Sequence, residues 1–319
     1  MDLNKIHTGH ALEILKTFSD ASINMCITSP PYWGLRDYKT DPVKWQDGWL
    51  GELGTEPDFN AYINHLCDIF DEVKRVLKDD GTCWVNIGDT YGGCSLNSSY
   101  GVKAKGETSF LKSVEYLQKV AHTRGKYSKS LLLIPFRFAI EMSNRGWTVR
   151  NVIIWQKPNA TPSSAKDRFT VDFEYLFFFS KNKKYYFERQ LEPIKQSTYD
   201  RCKNGCGINK GANYQGLNKT NFERLQKRIL SGEISGRNTR TVWSIATHAY
   251  HGAHFAVFPP ALLEIPIKAG CPEDGIVLDP FIGSGTTAVV ANRLNRKWIG
   301  IELNPEYTKL AETRILQNK

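Results

Sequence analysis

The sequence has no apolar run as long as a membrane span, and its opening Met-Asp-Leu-Asn-Lys lacks the apolar stretch of a signal peptide. We therefore expect a cytoplasmic protein with no membrane partner. Cysteine is sparse as well: its seven residues are scattered and odd in number, which favours free thiols in a reducing compartment over a disulfide framework.

Acidic residues are scarce in one part of the chain. Between residues 181 and 245, 14 Lys and Arg face 5 Asp and Glu, so this segment carries the net charge of +9 of the whole chain. Such a concentration is typical of a polyanion-binding surface, although a basic face that serves only solubility remains an alternative. With 319 residues and 41% hydrophobic residues, the chain can bury a substantial core as one large domain or two.

A short apolar run near the start ends at two consecutive prolines. Ile23, Met25 and Ile27 are typical of a buried strand in a parallel sheet, and the turn Ser29-Pro30-Pro31-Tyr32 follows. The prolines donate no backbone hydrogen bond and have a fixed φ, so the chain must leave the sheet in a stiff, extended turn. The turn presents a hydroxyl, carbonyls and an aromatic ring where α/β sheets bind ligands, although a plain structural turn remains an alternative.

A second pattern, near the other end of the chain, is typical of a buried strand followed by a glycine-rich turn and a helix. The strand ends at Asp279, and Gly283 and Gly285 allow the backbone to approach a ligand closely. The full G-x-G-x-x-G fingerprint is missing, which argues against an NAD-dependent oxidoreductase. The next strand ends at Glu302, about 17 residues beyond Gly285, where nucleotide-binding sheets place a ribose-binding carboxylate.

These motifs together resemble the amino-group DNA methyltransferases that use S-adenosylmethionine (SAM). The stretches Ile27-Thr28-Ser29-Pro30-Pro31-Tyr32, 279–287 and 299–307 resemble that family's catalytic, SAM-binding and ribose-binding motifs. Their order, catalytic first and SAM last, resembles the permuted β group. The resemblance implies an α/β fold: a SAM-dependent methyltransferase (Rossmann-like) sheet, circularly permuted, with an inserted target-recognition region.

The resemblance also implies a domain organisation. Residues 1–182 form the catalytic half, with a mobile loop at about 91–130, residues 183–243 the target-recognition region, and residues 244–319 the SAM-binding half. Double-stranded DNA is the implied partner, in a bacterium or a phage. A cognate restriction enzyme, and a monomeric or homodimeric state, are left open.

The site residues implied by the resemblance fall into three groups. The catalytic residues are Ser29, Pro30, Pro31 and Tyr32. The cofactor-binding residues are Asp279, Phe281, Gly283, Gly285, Thr286 and Glu302. The DNA-binding residues are Arg36, Lys183, Lys184, Arg201, Lys203, Lys210, Arg237 and Arg240.

The resemblance to the family leaves open which base is methylated. The Ser29 hydroxyl and the Pro30 carbonyl would accept hydrogen bonds from an exocyclic amino group, and Tyr32 would stack on the flipped base. Serine at the first motif position favours cytosine N4 over adenine N6, which remains the alternative. A non-catalytic DNA-binding protein on this scaffold would be expected to have a damaged SAM or catalytic motif, and both motifs are intact. A glutamine or RNA methyltransferase explains the basic segment less well.

His10 and a group of cysteines and histidines are also considered as ligand-binding residues. His10 stands where relatives usually carry Asp near the SAM adenine, so an adenine contact and an ordinary loop histidine are both open. Cys202, Cys206 and three later histidines have spacings that fit no standard zinc site, and no metal is predicted.

The scaffold follows from periodicity. Apolar residues at steps of 3 and 4 predict a helix that Asp58 caps and Asp80-Gly81 ends, followed by a strand at 83–89 beside the catalytic strand. Further helices are predicted at 131–145, 286–294 and 304–317, and further strands at 147–157 and Phe173–Ser180. The segment 39–56 is predicted to be a loop.

Overall fold

In a computed structural model of the chain, the structure describes residues 1–34, 42–92, 125–204, 219–234, 236–247 and 258–318. The chain divides into two compact units. Unit 1 comprises residues 1–188 and 241–319, and unit 2 comprises residues 189–240.

The strands, in chain order, are β1 Lys5–Thr8, β2 Ile23–Thr28, β3 Val43–Lys44, β4 Leu50–Gly51, β5 Leu77–Ile87, β6 Thr148–Gln156, β7 Phe173–Ser180, β8 Leu191–Pro193, β9 Gly236–Asn238, β10 Val242–Ser244, β11 Ile276–Asp279 and β12 Lys297–Glu302. The helices are α1 Ala11–Lys16, α2 Phe59–Val76, α3 Ile134–Asn144, α4 Gln196–Lys203, α5 Lys219–Leu230, α6 Pro260–Gly270, α7 Thr286–Arg293 and α8 Pro305–Gln317.

In unit 1, the described residues form one eight-stranded sheet in the order β1-β12-β11-β2-β5-β7-β6-β10. Strand β7 pairs antiparallel with both β5 and β6, and the other strand pairs are parallel. Strand β2 lies beside β11, so the first and last parts of the chain meet in the middle of the sheet. Such a sheet places ligands at the carboxyl ends of its parallel strands, and both predicted motifs follow such ends.

The core of unit 1 fills both faces of this sheet, because successive side chains of a strand point to opposite sides. Cys26 belongs to the cluster that joins α1, α2 and α3, whereas its neighbours Met25 and Ile27 belong to the cluster that joins α6, α7 and α8. The sheet is therefore covered by helices on both faces, which explains its near-continuous apolar strands.

Helix α2 begins as predicted and ends earlier. The Asp58 carboxylate accepts hydrogen bonds from the N–H groups of Asn60 and Ala61, which confirms the predicted cap. The predicted stop at Asp80-Gly81 is wrong, because Leu77 is extended (φ −67°, ψ 140°) and starts β5 directly. A buried Leu77 suits a helix and a strand equally, so periodicity did not distinguish them. The predicted neighbourhood of β5 and β2 is confirmed.

Other boundaries shift by small amounts. Strand β7 has its predicted bounds and lies inside the sheet, as its apolar sequence requires. Helix α3 begins only at Ile134, because Leu133 adopts a left-handed conformation (φ 58°). The predicted loop 39–56 contains the β3–β4 hairpin in its described part. Of the predicted mobile loop, residues 93–124 lie outside the described residues.

Unit 2 is smaller and polar. It contains the antiparallel pair β8–β9 and the helices α4 and α5. Its buried hydrophobic side chains, among those the structure describes, are Cys202 and Ile229. In the described part of the whole chain, no helix is both long and apolar enough to span a bilayer.

Candidate functional site

The turn after β2 is fixed by contacts with its neighbours. Pro30 is buried and Ser29 is half-buried. The Pro31 carbonyl accepts a hydrogen bond from Tyr62 Oη at 2.8 Å. The Pro30 carbonyl has no hydrogen-bond partner among the described residues, so it remains an available acceptor. The turn thus offers two possible acceptors side by side, the Pro30 carbonyl and the Ser29 hydroxyl.

The Tyr32 side chain lies in a polar pocket at the carboxyl edge of the sheet. Its Oη is 2.8 Å from Glu174 Oε2, 3.3 Å from Asn86 Oδ1 and 3.4 Å from Ser29 Oγ. A Cβ added at Gly88 would lie 2.7 Å from the Tyr32 ring, so only glycine leaves room for the ring there. Burial, together with the Glu174 charge, raises the pKa of Tyr32 well above its ordinary value. The phenol is therefore neutral.

Three residues of this pocket were missed by the sequence analysis. Asn86 Nδ2 donates to Glu174 Oε2 and to the Tyr175 carbonyl, each at 3.1 Å. Lys157 forms an ion pair with Glu174. The signal in the sequence was Glu174 itself, a carboxylate in the otherwise apolar strand β7. Buried charges are rare unless they are paired, so this residue could have been singled out.

The second predicted motif follows β11 and is joined to the first. Asp279 accepts hydrogen bonds from Thr28 Oγ1 and from Thr287 Oγ1, each at 2.5 Å, and from the Phe281 N–H at 3.1 Å. Thr28 immediately precedes Ser29, and it is 251 residues away from Asp279 in the chain. Asp279 therefore holds the two turns at one edge of the sheet.

The Asp279 carboxyl is fully enclosed. Burial raises its pKa from 3.8 to about 6, although the hydrogen bonds from Thr28, Thr287 and Phe281 act in the opposite direction. Because both of its oxygens are used inside the protein, Asp279 acts here as the link between the turns.

The two glycines of the β11–α7 turn have different roles. Both have positive φ, 50° at Gly283 and 79° at Gly285. A Cβ at Gly285 would come within 3.2 Å of Ala311 and 3.1 Å of Ile315 in α8, so this glycine allows the helix to pack. At Gly283 the nearest atom would be 3.9 Å away, so this position faces open space and suits a closely approaching ligand.

Glu302, at the end of β12, stabilises the same turn through hydrogen bonds to backbone N–H groups. Its Oε2 accepts the Gly283 N–H at 3.0 Å and its Oε1 accepts the Asn304 N–H at 2.9 Å. Burial raises the pKa of Glu302, while these two hydrogen bonds oppose the rise. Each oxygen keeps a second lone pair, so the carboxylate can also accept from a ligand hydroxyl.

Two other predicted cofactor residues differ in how they face the site. Phe281 is half-buried and follows Asp279 at the start of the turn. The Thr286 hydroxyl is buried and accepts a hydrogen bond from Arg314 at 2.9 Å. Its contribution to a ligand would therefore come from the first backbone N–H groups of α7, where the helix dipole favours negative charge.

His10 lies beside the end of β12. Its neighbour Gly9 donates a backbone hydrogen bond to the Glu302 carbonyl at 2.9 Å. The His10 ring meets Trp45 edge to face at 4.9 Å, and its buried Nδ1 has no hydrogen-bond partner among the described residues. Burial lowers the pKa of His10, so the ring is neutral. A buried nitrogen without a partner is rare in proteins, and this one belongs to the residue that follows the Gly9 contact with β12.

The predicted DNA-binding residues are distributed over both units. Arg36 and Lys210 lie outside the described residues, and Arg201 belongs to α4. Lys183, Lys184 and Lys203 are exposed.

Two of the predicted arginines are paired within unit 2. The Nε atoms of Arg237 and Arg240 lie 3.1 and 2.9 Å from Glu192 Oε1. Of the residues considered for zinc, Cys202 is buried, and Cys206 and the three histidines lie outside the described residues.

Comparison with known proteins gives consistent results. The model of a family described as DNA methylase matches residues 23–313. The chain is 39% identical over 315 residues to the Type II methyltransferase M.SmaI of Serratia marcescens, covering 99% of this chain and 91% of that protein. It is 38% identical to the Type II methyltransferase M.Cfr9I of Citrobacter freundii, covering 96% and 86% of the two chains.

Solved structures share the fold. The PvuII DNA methyltransferase, described as cytosine-N4-specific, superposes with a TM-score of 0.61 at 20% identity, covering 98% of this chain and 90% of that chain. A putative DNA modification methylase of Thermus thermophilus, solved in complex with SAM, gives a TM-score of 0.56 at 22% identity, with 98% and 95% covered.

Proposed function

The chain belongs to the DNA methylase family, and from this premise we propose that it is a sequence-specific DNA methyltransferase that methylates the N4 amino group of cytosine. The observation that carries the proposal is the link from Asp279 to Thr28, because it brings the turn with Ser29 to the glycine turn of β11. The methyl donor is SAM.

Ser29 and Pro30 carry the chemistry that the chain itself supplies. An exocyclic amino nitrogen is a poor nucleophile, because its lone pair is conjugated into the base. The Ser29 hydroxyl and the Pro30 carbonyl each accept one of its N–H groups, which localises the lone pair and aims it out of the ring plane. This is positioning and hydrogen-bond electrostatics without a covalent enzyme intermediate.

The residues of the β11–α7 turn fit the cofactor. SAM supplies an electrophilic methyl group when it is bound. Gly283 offers backbone next to open space, and Glu302 keeps lone pairs for ribose hydroxyls. Phe281 offers a half-buried ring. The neutral His10 ring follows Gly9, which is hydrogen-bonded to the end of β12, and a contact between His10 and the adenine stays a prediction.

The choice of cytosine rests on two observations. Serine occupies the first position of the catalytic turn, and the PvuII enzyme that shares the fold is described as cytosine-N4-specific. Adenine N6 is the second candidate, because the same pair of acceptors serves any exocyclic amino group.

The DNA partner explains the basic segment. The amino group is enclosed in the duplex, so the target base is flipped out at a cost of a few kcal/mol. Lysines of the segment 183–243, with Lys203 as an example, contact phosphates and fix the register on the duplex. The relatives are named Type II methyltransferases, so we also propose that the protein protects DNA from a cognate restriction enzyme in a prokaryotic or phage setting.

Identification of the methylated nucleoside tests the proposal. The purified protein is incubated with plasmid DNA and SAM, and the DNA is digested to nucleosides and analysed by mass spectrometry, with a reaction lacking SAM as the control. We expect N4-methyldeoxycytidine. N6-methyldeoxyadenosine instead would establish the second candidate, and DNA without either product would refute the methyltransferase assignment.

A further inference from the structure

Glu174 lies at the centre of the polar network beside the catalytic turn. It is at the start of β7, between β5 and β6, at the edge of the sheet where β2 ends. Its Oε2 accepts hydrogen bonds from Tyr32 Oη at 2.8 Å and from Asn86 Nδ2 at 3.1 Å, and its Oε1 faces Lys157. Glu174 itself is not one of the acceptors proposed for the target amino group.

The orientation of the Asn86 amide is determined by its neighbours. The Asn86 nitrogen faces two acceptors, the Glu174 carboxylate and the Tyr175 carbonyl, each at 3.1 Å. The reverse orientation would point an oxygen at both acceptors and would lose two hydrogen bonds. The Asn86 side-chain oxygen therefore faces Tyr32 Oη at 3.3 Å as a second acceptor.

The direction of the Tyr32 proton follows from this arrangement. A phenol has one proton, and it is donated to Glu174, because the shorter contact to a charged acceptor is the stronger one. Were it donated to Asn86 instead, it would still point into the sheet. In both cases the Tyr32 oxygen presents only lone pairs to Ser29, whose Oγ lies 3.4 Å away.

The consequence concerns the Ser29 hydroxyl. Its proton is directed to the Tyr32 oxygen, so both lone pairs of Ser29 Oγ remain available to accept an N–H. A serine hydroxyl can rotate freely, and a rotamer that points its proton at the substrate amino group would oppose the proposed chemistry. The network disfavours that rotamer, because it offers the Ser29 proton an acceptor on the opposite side.

We propose that Glu174 is a positioning residue for methyl transfer: it orients the hydroxyl protons of Tyr32 and Ser29 so that Ser29 acts as a hydrogen-bond acceptor. The proposal rests on the proposed function and deepens it. Lys157 supports this role as the ion-pair partner of Glu174 Oε1, and its ammonium also lies 4.6 Å from the Trp155 ring.

The variant Glu174→Gln tests the proposal with little change of shape. A glutamine that turns its oxygen to Tyr32 points its amide N–H groups at Lys157. In the reverse orientation its N–H groups face both Tyr32 and Asn86, so the Asn86 amide must turn its oxygen to residue 174 and its nitrogen to Tyr32. The Tyr32 proton then has Ser29 as its remaining acceptor in this network. We expect kcat to fall about 10- to 100-fold, with the KM for DNA and the Kd for SAM within about threefold of the wild-type values.

A double-mutant cycle separates positioning from general structure. If Glu174 acts through Ser29, adding Glu174→Gln to Ser29→Ala changes kcat by less than about threefold. The same cycle with Tyr32→Phe, which removes the phenol oxygen between them, is expected to be equally non-additive. Multiplicative losses in both cycles would assign Glu174 a merely structural role.

The control is Glu141→Gln, which removes another carboxylate of unit 1 that is paired with an arginine, Arg145 at 2.9 Å. It is expected to leave kcat unchanged, and melting temperatures establish whether each variant is folded. If Glu174→Gln does not fold, the proposal is tested with Tyr32→Phe, which removes the phenol oxygen between Glu174 and Ser29. A wild-type kcat in Tyr32→Phe would refute the proposal. A wild-type kcat in folded Glu174→Gln would also refute it, whereas an inactive wild-type protein would instead refute the proposed function.

Discussion

The catalytic edge of unit 1, meaning the carboxyl ends of β2, β5, β11 and β12 with the turns that follow them and the start of β7, differs from the basic unit 2 in how its charged side chains are placed. At the catalytic edge, Asp279, Glu302 and Glu174 are at least half-buried, and each accepts two or more hydrogen bonds. In unit 2 most charges are exposed, and buried hydrophobic side chains are few among the described residues. The side chains of the first region are held in place by hydrogen bonds, as the proposed chemistry requires, and the second region concentrates exposed charge.

This difference in burial predicts that substitutions in the two regions change different measured quantities. Substitutions at the buried edge of the sheet should change the rate of methyl transfer and the free energy of unfolding, because interactions there are little screened by water. Substitutions of exposed lysines in unit 2 should change DNA affinity and its salt dependence, because phosphate contacts release counterions. Substitutions in the two regions should therefore affect separate observables.

The largest expected effect is that of Ser29→Ala at the catalytic edge. Removal of one of two acceptors for the amino group should lower kcat about 100- to 1000-fold, comparable to the loss of one hydrogen-bonding group in other active sites. The Kd for SAM and the DNA affinity at fixed salt should stay within about threefold, measured by calorimetry and fluorescence anisotropy. Wild-type turnover would contradict the assigned role of Ser29.

Asp279→Asn should have the next largest effect, on stability. Because the folded pKa of Asp279 is raised to about 6 from 3.8, the folded state binds the extra proton, and stability falls as pH rises from about 4 to 6. The shift corresponds to about 3 kcal/mol, and the neutral amide lacks this dependence.

Urea unfolding between pH 4.5 and pH 7.5 measures the effect. The free energy of unfolding of the wild type, minus that of Asp279→Asn, should decrease by about 2 kcal/mol over this range and then level off. A constant difference would show that Asp279 ionises normally in the folded protein.

A smaller effect is expected in unit 2. In the double variant Lys203→Gln, Lys227→Gln, the slope of log K against log salt should be reduced by about 2, and DNA affinity should fall roughly tenfold at low salt. The kcat at saturating DNA should not change. Lys309→Gln in α8 is the matched control, since Lys309 is an exposed lysine of unit 1. An equal loss in the control would remove the distinction between the two regions.

Local sequence patterns were sufficient for much of the fold. The apolar run before Ser29 and the strand–glycine–helix pattern around Asp279 identified β2, β11 and α7, because buried parallel strands and tight turns have strong local signatures. The end of α2 was not predictable in the same way, because Leu77 is buried in either conformation.

The candidate site was predictable only where its residues are close in sequence. The Glu174 network combines side chains from the turn after β2, from β5 and β7, and from the residue after β6. The sequence predicted that β5 lies beside β2, but no local pattern indicated that β7 lies between β5 and β6. The Arg237 and Arg240 pairing with Glu192 is likewise a tertiary contact. The DNA-binding role of those two arginines remains a prediction.

The central claim is that the turn with Ser29 and the turn with Gly283 form one site. A crystal structure with S-adenosylhomocysteine and a DNA duplex carrying the target base tests it most directly. We expect the ligand to contact Gly283 and Glu302, and Ser29 Oγ to lie within about 3.5 Å of the exocyclic nitrogen of a flipped base. A ligand bound away from Gly283, or a target base held far from Ser29, would contradict the account.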